Sequence, residues 1–273
     1  MDKNQGRDYP MEYTEEEFQR LQFQERYWGE ISLEVLLKAG IETGMRVLEL
    51  GCGAGEFSLQ AAKLVGPSGS VLGIDRSSRA VQRASQRATA LKINQLSFQV
   101  ADLETINLPL TFDALIGRFV LMFLANPTST LARMIDWLEP GGAVAFIETD
   151  LIVARSIPAV PRVEAMLEWT RETFRRAEIS LDLGPQLWRV FRDSGLEEPH
   201  LVVRQKLHPA PCREGVRWVS GLVRSLLPEM ERLGVISADE VGIETLEEEL
   251  HQALLKREAT LCTPLVVGAY SRA

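Results

Sequence analysis

The amino-acid sequence predicts an α/β protein built on a doubly wound, mostly parallel sheet. Short apolar runs alternate with amphipathic segments over the first half of the chain, a rhythm typical of parallel sheets covered by helices. A glycine-rich loop follows the first apolar run. The predicted strands lie near residues 46–50, 71–75, 96–100, 113–117 and 143–148.

Helices are predicted before, between and after these strands. Thr14 and Glu17 form a capping-box pattern that opens the first helix, and Gly40 ends it. After Asp150 the regular alternation stops. The later predicted segments are a helix at 159–180, a helix at about 185–194, an extended segment at 199–208, helices within 211–260 and a last strand at 263–271.

This pattern divides the chain into three parts. Residues 1–40 are predicted to form an N-terminal helical lid, and residues 211–260 a helical cap insertion. Residues 41–210 and 261–273 form the α/β core, with a helical insertion at about 159–180. Ligands of open α/β sheets bind outside the carboxyl ends of the strands, so helices joined there form the other wall of a pocket. Alternatively, these helices only enlarge the core or form a dimer surface.

Composition narrows the class of protein. The chain has 273 residues, of which 45% are hydrophobic and 25% charged, as in ordinary soluble domains. A net charge of −8 argues against a nucleic-acid partner, which requires a basic excess. The sequence has no apolar run long enough to span a membrane, and its first residues are too polar for a signal peptide. Three cysteines, an odd number, are typical of a reducing cytoplasm.

The glycine loop, Gly51 to Gly55, predicts a nucleoside-bearing cofactor at the end of the first strand. Glycines are needed where the backbone turns tightly and approaches a ligand. The dinucleotide fingerprint is Gly-x-Gly-x-x-Gly, but here the third glycine comes one residue early. Glu56 takes the place of that glycine, where a carboxylate would repel a pyrophosphate at the helix N-terminus. The loop therefore favours a cofactor without phosphate.

Acidic residues follow the next two predicted strands. Asp75 ends the second strand, about 20 residues after the loop, where a carboxylate accepts both hydroxyl protons of a ribose. Asp102 follows the third strand, where a carboxylate can accept an adenine amino proton. Three consecutive strand ends thus carry a glycine loop, an aspartate and a second aspartate. This combination is a more specific sign of a cofactor site than any of the three features alone.

On these residues the chain resembles the class I S-adenosylmethionine-dependent methyltransferases. It is most similar to the branch with ubiquinone- and menaquinone-biosynthesis C-methyltransferases and natural-product methyltransferases. The resemblance covers roughly residues 40–150. The matching motifs are Glu49-Leu-Gly-Cys-Gly-Ala-Gly55, Gly73-Ile-Asp75, Val100-Ala-Asp-Leu103, Phe112-Asp-Ala-Leu-Ile116 and Leu138-Glu-Pro-Gly-Gly142.

The resemblance implies a seven-stranded sheet whose last strand is antiparallel and lies between the fifth and sixth. It implies that the loop packs against the methionine moiety and the ribose, that Asp75 holds the ribose, and that Asp102 and Leu103 frame the adenine. Cys52, within the loop, is interpreted as a small apolar residue and not as a nucleophile. The residues predicted to bind the cofactor are Glu49, Gly51, Cys52, Gly53, Gly55, Asp75, Arg76, Ala101, Asp102, Leu103, Arg118 and Phe119.

Candidate catalytic groups lie at the ends of the fourth and fifth strands. Glu148 and Asp150 stand two residues apart, so they face the same side of an extended strand. A partly buried carboxylate there, with its pKa raised, is the candidate general base. The alternative is that either residue anchors a loop or Arg118. Arg118 is predicted to pair with the cofactor carboxylate or an anionic substrate, or with Glu148 or Asp150.

Aromatic residues from the N-terminal region and the second half of the chain predict an apolar or aromatic acceptor. The Asn/Asp-Pro-Pro-aromatic motif of amino-group methyltransferases is missing after the fourth strand, where Phe119 is predicted to border the cofactor and Phe123 to belong to the core. Three histidines without metal-ligand spacing predict no metal site. The predicted substrate-pocket residues are Tyr13, Phe18, Arg118, Trp169, Trp188, His208 and Trp218.

The sequence thus predicts a cytoplasmic methyltransferase that uses S-adenosyl-L-methionine and releases S-adenosyl-L-homocysteine. The expected acceptor is a small organic molecule methylated at oxygen, carbon or nitrogen, and a homodimer is compatible with the sequence. One alternative is a protein that binds the cofactor but catalyses another reaction, such as a cyclisation, or serves as a binding module. A second is a nicotinamide oxidoreductase.

Overall fold

The computed structural model describes residues 10–108 and 111–273. The strands are β1 (Arg46–Leu50), β2 (Ser70–Asp75), β3 (Leu96–Val100), β4 (Phe112–Arg118), β5 (Leu138–Asp150), β6 (Arg155–Ile157), β7 (His200–Arg204), β8 (Leu207–Pro209), β9 (Thr260–Cys262) and β10 (Leu265–Arg272). The helices are α1 (Glu15–Lys38), α2 (Glu56–Val65), α3 (Ser78–Ala90), α4 (Pro127–Ile135), α5 (Pro161–Arg176), α6 (Leu183–Asp193), α7 (Glu214–Arg232), α8 (Ala238–Val241) and α9 (Leu246–Lys256).

Seven strands form one twisted sheet in the order β3-β2-β1-β4-β5-β10-β7. Strands β1 to β5 pair in parallel, and β10 pairs antiparallel with both β5 and β7. The predicted fold class and the antiparallel position of the last strand are therefore confirmed. Strand order reverses between β1 and β4, and the carboxyl ends at such a switch point are where ligands of α/β sheets bind.

Helix α1 packs across this sheet and begins and ends as its sequence predicts. The Thr14 hydroxyl accepts a hydrogen bond from the Glu17 N–H at 3.2 Å, which caps the first turn. Gly40 follows the last turn with φ +75°, a conformation that favours glycine. The buried face includes Val35, which lies against Gly268 of β10, so that a Cβ at position 268 would come 2.2 Å from Val35 Cγ2.

A second sheet of three short antiparallel strands, in the order β6-β9-β8, was not predicted. Each strand has only three residues, too few for a period-two pattern to appear in the sequence. Helices α7, α8 and α9 lie between β8 and β9 in the chain, so the pairing of these two strands holds the ends of this helical segment together. Among the described residues, every helix is too short or too polar to cross a membrane.

The contact between α1 and β10 predicts a large cost for adding one methyl group. Gly268→Ala is expected to lower the free energy of unfolding by about 1–3 kcal/mol, because the new Cβ overlaps Val35 in a packed interface. The control is Gly221→Ala in α7, whose Cβ would meet its nearest neighbour at 3.7 Å. That change should raise stability by roughly 0.5–1 kcal/mol through helix propensity. Urea unfolding of both variants checks the pair, and equal effects would contradict it.

Candidate cofactor site and active site

Two adjoining cavities lie at the carboxyl ends of the parallel strands. The edge cavity follows the ends of β2 and β3 and encloses about 1610 Å³, its opening to solvent included. The inner cavity lies between the glycine loop and helices α1, α5 and α7, and encloses about 940 Å³ on the same measure. The two cavities are neighbours, since both are lined by Met11, Tyr13, Gly51, Phe119 and Phe123.

The glycine loop between β1 and α2 adopts a conformation that other residues disfavour. Gly51, Gly53 and Gly55 have φ values of +63°, +51° and +80°. A Cβ on Gly51 would come 2.3 Å from Val120 Cγ2, so Gly51 is needed for packing as well. A Cβ on Gly53 would have the Tyr13 hydroxyl, 3.7 Å away, as its nearest neighbour. Gly53 therefore leaves room for a ligand in the inner cavity.

Asp75 connects the loop to the end of β2. Its Oδ2 accepts a hydrogen bond from the Gly53 N–H at 2.9 Å, and its Oδ1 accepts one from the Ser77 N–H at 2.8 Å. Burial raises the pKa of Asp75, against the lowering effect of these two N–H groups. Each carboxylate oxygen keeps a second lone pair. Asp75 lines the edge cavity and can thus accept further hydrogen bonds from a ligand there.

The segment after β3 forms another wall of the edge cavity. Asp102 and Leu103 line it, and the Asp102 Oδ1 accepts a hydrogen bond from the Glu104 N–H at 2.8 Å. Arg133 fixes this segment by donating to the carbonyl oxygens of Leu103 and, at 2.8 Å, Ile106. Arg76 and Arg79 line the same cavity. The predicted cofactor residue Ala101 lines neither cavity, although it adjoins Asp102.

Glu49 and Arg118 line the inner cavity from the ends of β1 and β4. The Ser58 hydroxyl donates a hydrogen bond to Glu49, and burial raises the pKa of Glu49 to about 8. The Arg118 guanidinium lies 2.6 Å from the Glu25 carboxylate of α1 and donates to Ser32 Oγ at 2.9 Å. Of the alternatives that the sequence left open for Arg118, the ion pair with Glu148 or Asp150 is therefore not formed. Sequence alone gave no way to place Glu25, which lies far away along the chain.

Glu148 holds the turn that follows β4. Its Oε1 accepts hydrogen bonds from the N–H groups of Val120, at 2.9 Å, and Leu121, at 2.7 Å. The side chain is fully buried and lines neither cavity, and burial raises its pKa to about 8. Phe119, just before these amides, has φ +53° and lines both cavities. The structure thus places Glu148 where it anchors a loop, the alternative that the sequence left open.

Asp150 has a similar placement. It is buried, its Oδ1 accepts a hydrogen bond from the Ile152 N–H at 2.9 Å, and it lines neither cavity. Cys52 lines the inner cavity, but burial raises the pKa of its thiol well above the ordinary value. A thiol held in its neutral form is a poor nucleophile.

The predicted substrate-pocket residues divide into two groups. Tyr13, Arg118 and Trp218 line the inner cavity, and Phe18 lies behind Tyr13 with ring centroids 5.9 Å apart. The other candidates line neither cavity: Trp169 lies beneath the Arg162 guanidinium, Trp188 is exposed beneath Arg192, and His208 hydrogen-bonds the Tyr27 hydroxyl. The sequence predicted the helices that carry the tryptophans, but it did not show which face of each helix is turned toward the cavity.

Other residues also line the cavities. Phe123, expected in the core, lines both cavities because the turn after β4 directs it toward them. Leu21, Gln24 and Trp28 lie three and four positions apart on one face of α1, a spacing that the sequence does show. The further unpredicted lining residues include Met122, Thr149, Leu151, Phe174, Leu222, Pro264 and Val266.

The charge of Glu56 is offset by a neighbouring arginine. Glu56 was expected to repel a pyrophosphate, but its carboxylate lies 2.6 Å from the Arg87 guanidinium, which offsets its charge. The same guanidinium donates to the Ala54 carbonyl at 2.8 Å and so supports the loop. The absence of a phosphate on the cofactor therefore cannot be argued from Glu56 alone.

Comparison with known proteins identifies the class. Residues 41–185, more than half of the chain, match the family model described as "Methyltransferase domain". The chain belongs to this family. Its family and its fold are those that the resemblance to class I S-adenosyl-L-methionine-dependent methyltransferases predicts, and S-adenosyl-L-methionine is the cofactor of that class.

Individual relatives match parts of the chain. It is 35% identical over 140 residues to aklanonic acid methyltransferase DauC of Streptomyces sp. (strain C5), over 49% of this chain and 63% of that protein. It is 24% identical over 187 residues to the ubiquinone/menaquinone biosynthesis C-methyltransferase UbiE of Pasteurella multocida, over 63% of this chain and 69% of that one. The chain thus spans less than two thirds of DauC.

A solved structure has a similar fold. It is phosphoethanolamine N-methyltransferase 2 of Haemonchus contortus in complex with phosphomonomethylethanolamine and S-adenosylhomocysteine. Its TM-score is 0.55 at 18% identity, over 89% of this chain and 52% of that chain.

The placement of Glu148 predicts that its amide variant keeps activity. In Glu148→Gln the amide oxygen still accepts the two backbone N–H groups, so kcat should stay within about threefold of wild type. Glu148→Ala leaves both N–H groups without an acceptor and should lower the free energy of unfolding by about 2–4 kcal/mol. Steady-state kinetics and urea unfolding check the pair. A large loss of kcat in a stable Glu148→Gln variant would restore Glu148 as a base.

The raised pKa of Glu148 predicts a pH-dependent difference in stability. Between its ordinary value of 4.5 and about 8, the folded state binds a proton that the unfolded state has released. The unfolding free energy of the wild type therefore falls as pH rises through this window. Relative to wild type, Glu148→Gln should gain stability from about pH 5 to about pH 8, by up to about 1.4 kcal/mol per pH unit. A difference that stays constant with pH would mean that Glu148 is ionised in the folded protein.

Proposed function

We propose that the protein transfers the methyl group of S-adenosyl-L-methionine to the oxygen, carbon or nitrogen of a small, largely apolar organic acceptor. The observation that carries this proposal is that the two cavities adjoin at the carboxyl ends of the strands and share Gly51, Phe119 and Phe123 in their walls. The edge cavity suits the adenosine of the cofactor, and the inner cavity suits its methionine end together with the acceptor.

The residues that face the two cavities fit this cofactor. Asp75 keeps lone pairs for the ribose hydroxyls, and Asp102 lies beside the apolar Leu103 where the adenine would bind. Glu49 and Arg118 face the place proposed for the methionine end. The ammonium group of the cofactor would favour the ionised form of Glu49, whose pKa burial raises to about 8, and Arg118, which is paired with Glu25, would bind the carboxylate. When bound, S-adenosyl-L-methionine supplies a methyl group already activated by a sulfonium. The protein then contributes mainly alignment, which can lower a barrier by about 7–11 kcal/mol.

The inner cavity supports a small apolar acceptor. Beyond the glycine loop its walls are mostly aliphatic and aromatic, with Phe174 from α5, Trp218 and Leu222 from α7, and Leu151 after β5. Pockets of this kind bind small molecules through apolar contact and a few polar groups. A nucleic acid would need a basic surface, whereas the chain has a net charge of −8.

An acceptor that must lose a proton would need a base among the polar groups of the inner cavity. Among the described lining residues the carboxylates are Glu49 and Glu56, and Glu56 is paired with Arg87. Neither Glu148 nor Asp150 faces the cavity. We propose that the acceptor is oriented for attack by the cavity walls, and that these two carboxyls of β5 act on the loops and not on the acceptor.

Two measurements test the proposed function. Calorimetric titration should show binding of S-adenosylhomocysteine and none of NAD. Transfer of a radiolabelled methyl group from S-adenosylmethionine should then be assayed against a panel of phenols, aromatic carboxylic acids, quinols and amines. Methylation of at least one class supports the proposal. Binding of the cofactor without methylation of any class would favour the alternative of a cofactor-binding protein with another reaction.

The ribose assignment predicts a specific loss of cofactor affinity. Asp75→Ala should weaken S-adenosylhomocysteine binding by about 1–3 kcal/mol, because charge-assisted hydrogen bonds to the ribose are lost. Asp136→Ala, at the exposed end of α4 outside both cavities, is the control and should bind normally. Calorimetry measures both, with thermal unfolding to confirm that each is folded. Unchanged affinity in Asp75→Ala would remove the ribose role.

The acceptor assignment predicts a different kind of loss. Leu222→Ala should raise the KM for the acceptor roughly 10-fold or more through lost apolar contact, with S-adenosylhomocysteine affinity unchanged. Leu227→Ala is a matched control, since Leu227 lies on the same helix, is also partly buried and lines neither cavity. Its KM should equal that of wild type. If both variants changed KM alike, the inner cavity would not be the acceptor site.

A further inference from the structure

Three side chains outside both cavities converge on one point beside α1. His208 lies on β8, Cys212 in the following turn, and Glu214 at the first position of α7. One ligand atom from each, an imidazole nitrogen, the thiol sulfur and a carboxylate oxygen, lies within 4.8 Å of the others. We propose that these residues bind a zinc ion. The inference does not rest on methyl transfer.

The separation of the first two ligand atoms fits a shared metal ion. His208 Nδ1 and Cys212 Sγ are 3.4 Å apart. In a tetrahedral zinc site with Zn–N of about 2.0–2.1 Å and Zn–S of about 2.3 Å, the nitrogen and sulfur ligands lie roughly 3.6 Å apart. A direct thiol–imidazole hydrogen bond has a similar length. A measurement of metal binding therefore distinguishes a shared zinc ion from a hydrogen bond between Cys212 and His208.

The backbone around the cluster is built for close approach. Gly215 follows Glu214, and a Cβ at position 215 would come 2.5 Å from His208 Cδ2. Glycine therefore lets the imidazole lie directly against the first turn of α7. This contact brings the Glu214 carboxylate to the side of the imidazole where Cys212 also lies, so residues on three successive segments share one site.

The other nitrogen of His208 has a partner that suits a metal ligand. The Tyr27 hydroxyl of α1 hydrogen-bonds His208 Nε2, and the two rings stack with centroids 5.6 Å apart. With zinc on Nδ1, the Nε2–H donates to the Tyr27 oxygen, which fixes the tautomer and the ring orientation. Metal-bound histidines are usually oriented in this way by an outer hydrogen bond.

The charges at the cluster favour a divalent cation. A thiolate and a carboxylate supply two negative charges toward it. The nearby guanidinium of Arg213 is paired with Glu248 at 2.7 Å, and Lys206 Nζ lies 4.2 Å from the centroid of the Tyr27 ring as one opposing charge. Nitrogen, sulfur and oxygen ligands together suit zinc, with water as the fourth ligand. Tyr27 also stacks on Trp218 at 5.5 Å, so the ion would brace the α7 wall of the inner cavity from behind.

Metal analysis of the full chain tests this site. Protein purified without chelators should contain about one zinc per chain. Cobalt added to the metal-free protein should give the visible absorption of tetrahedral thiolate-bound cobalt. Cys212→Ser and Glu214→Gln should lose both signals, whereas Cys262→Ser, which removes a buried thiol on the neighbouring strand β9 that is not part of the cluster, should keep them. Circular dichroism confirms that each variant is folded.

The outer hydrogen bond gives a second, graded test. Tyr27→Phe should weaken zinc binding about 10–100-fold, measured by competition with a chromophoric chelator. This variant keeps the ring and its stacking, so a change in affinity reports the hydroxyl. Wild-type protein that takes up neither zinc nor cobalt would overturn the proposal and leave a thiol–imidazole hydrogen bond. Binding that survives Cys212→Ser would overturn it as well.

Discussion

Buried carboxylates at the carboxyl ends of the strands hold the irregular backbone on which both cavities depend. Asp75 accepts the N–H groups of Gly53 and Ser77, and Glu148 accepts those of Val120 and Leu121. A turn beside a ligand site cannot satisfy its N–H groups within a helix or a sheet, and a buried N–H without a partner costs about 1–3 kcal/mol. Side chains of the neighbouring strands therefore replace the missing backbone acceptors. The sheet supplies these acceptors at fixed positions, so the glycine loop and the turn that holds Phe119 keep a single shape.

The same arrangement gives Glu148 a raised pKa in a position that faces neither cavity. Burial disfavours the ionised form of Glu148, and two N–H donors only partly offset this effect. A raised pKa at a strand end is often associated with catalysis, but such shifts also arise in structural networks. Position decides between the two, and Glu148 faces a turn whereas Glu49 faces the inner cavity.

A structural feature could be predicted from the sequence when the residues that determine it lie close together along the chain. The strands, the glycine loop and Asp75 were predictable because their signals are local: apolar runs, glycine spacing and an acid at a fixed distance. The partner of Arg118 was not, since Glu25 reaches it only after α1 packs across the sheet. Trp169 and Trp188 do not line the inner cavity, because α5 places Phe174 there and Trp169 against Arg162, while Trp188 of α6 is exposed beside Arg192. The spacing of His208, Cys212 and Glu214 follows no common metal motif, and the three side chains meet only in the folded chain, where Gly215 leaves room for the His208 ring.

Helices α1 and α7 and strand β8 pack against one another beside the inner cavity. Tyr27 of α1 contacts both His208 on β8 and Trp218 on α7, while Arg118 ties the other side of α1 to the end of β4. Trp28, next to Tyr27, lies edge-on to Trp218, with ring centroids 6.0 Å apart, and lines the inner cavity with it. Because these aromatic contacts share one core, a change in one wall must shift the others, as packed interiors yield little to local strain. In the function that we propose, acceptor specificity would therefore depend on α1 and α7 together, whereas the edge cavity is formed at the strand ends of the sheet.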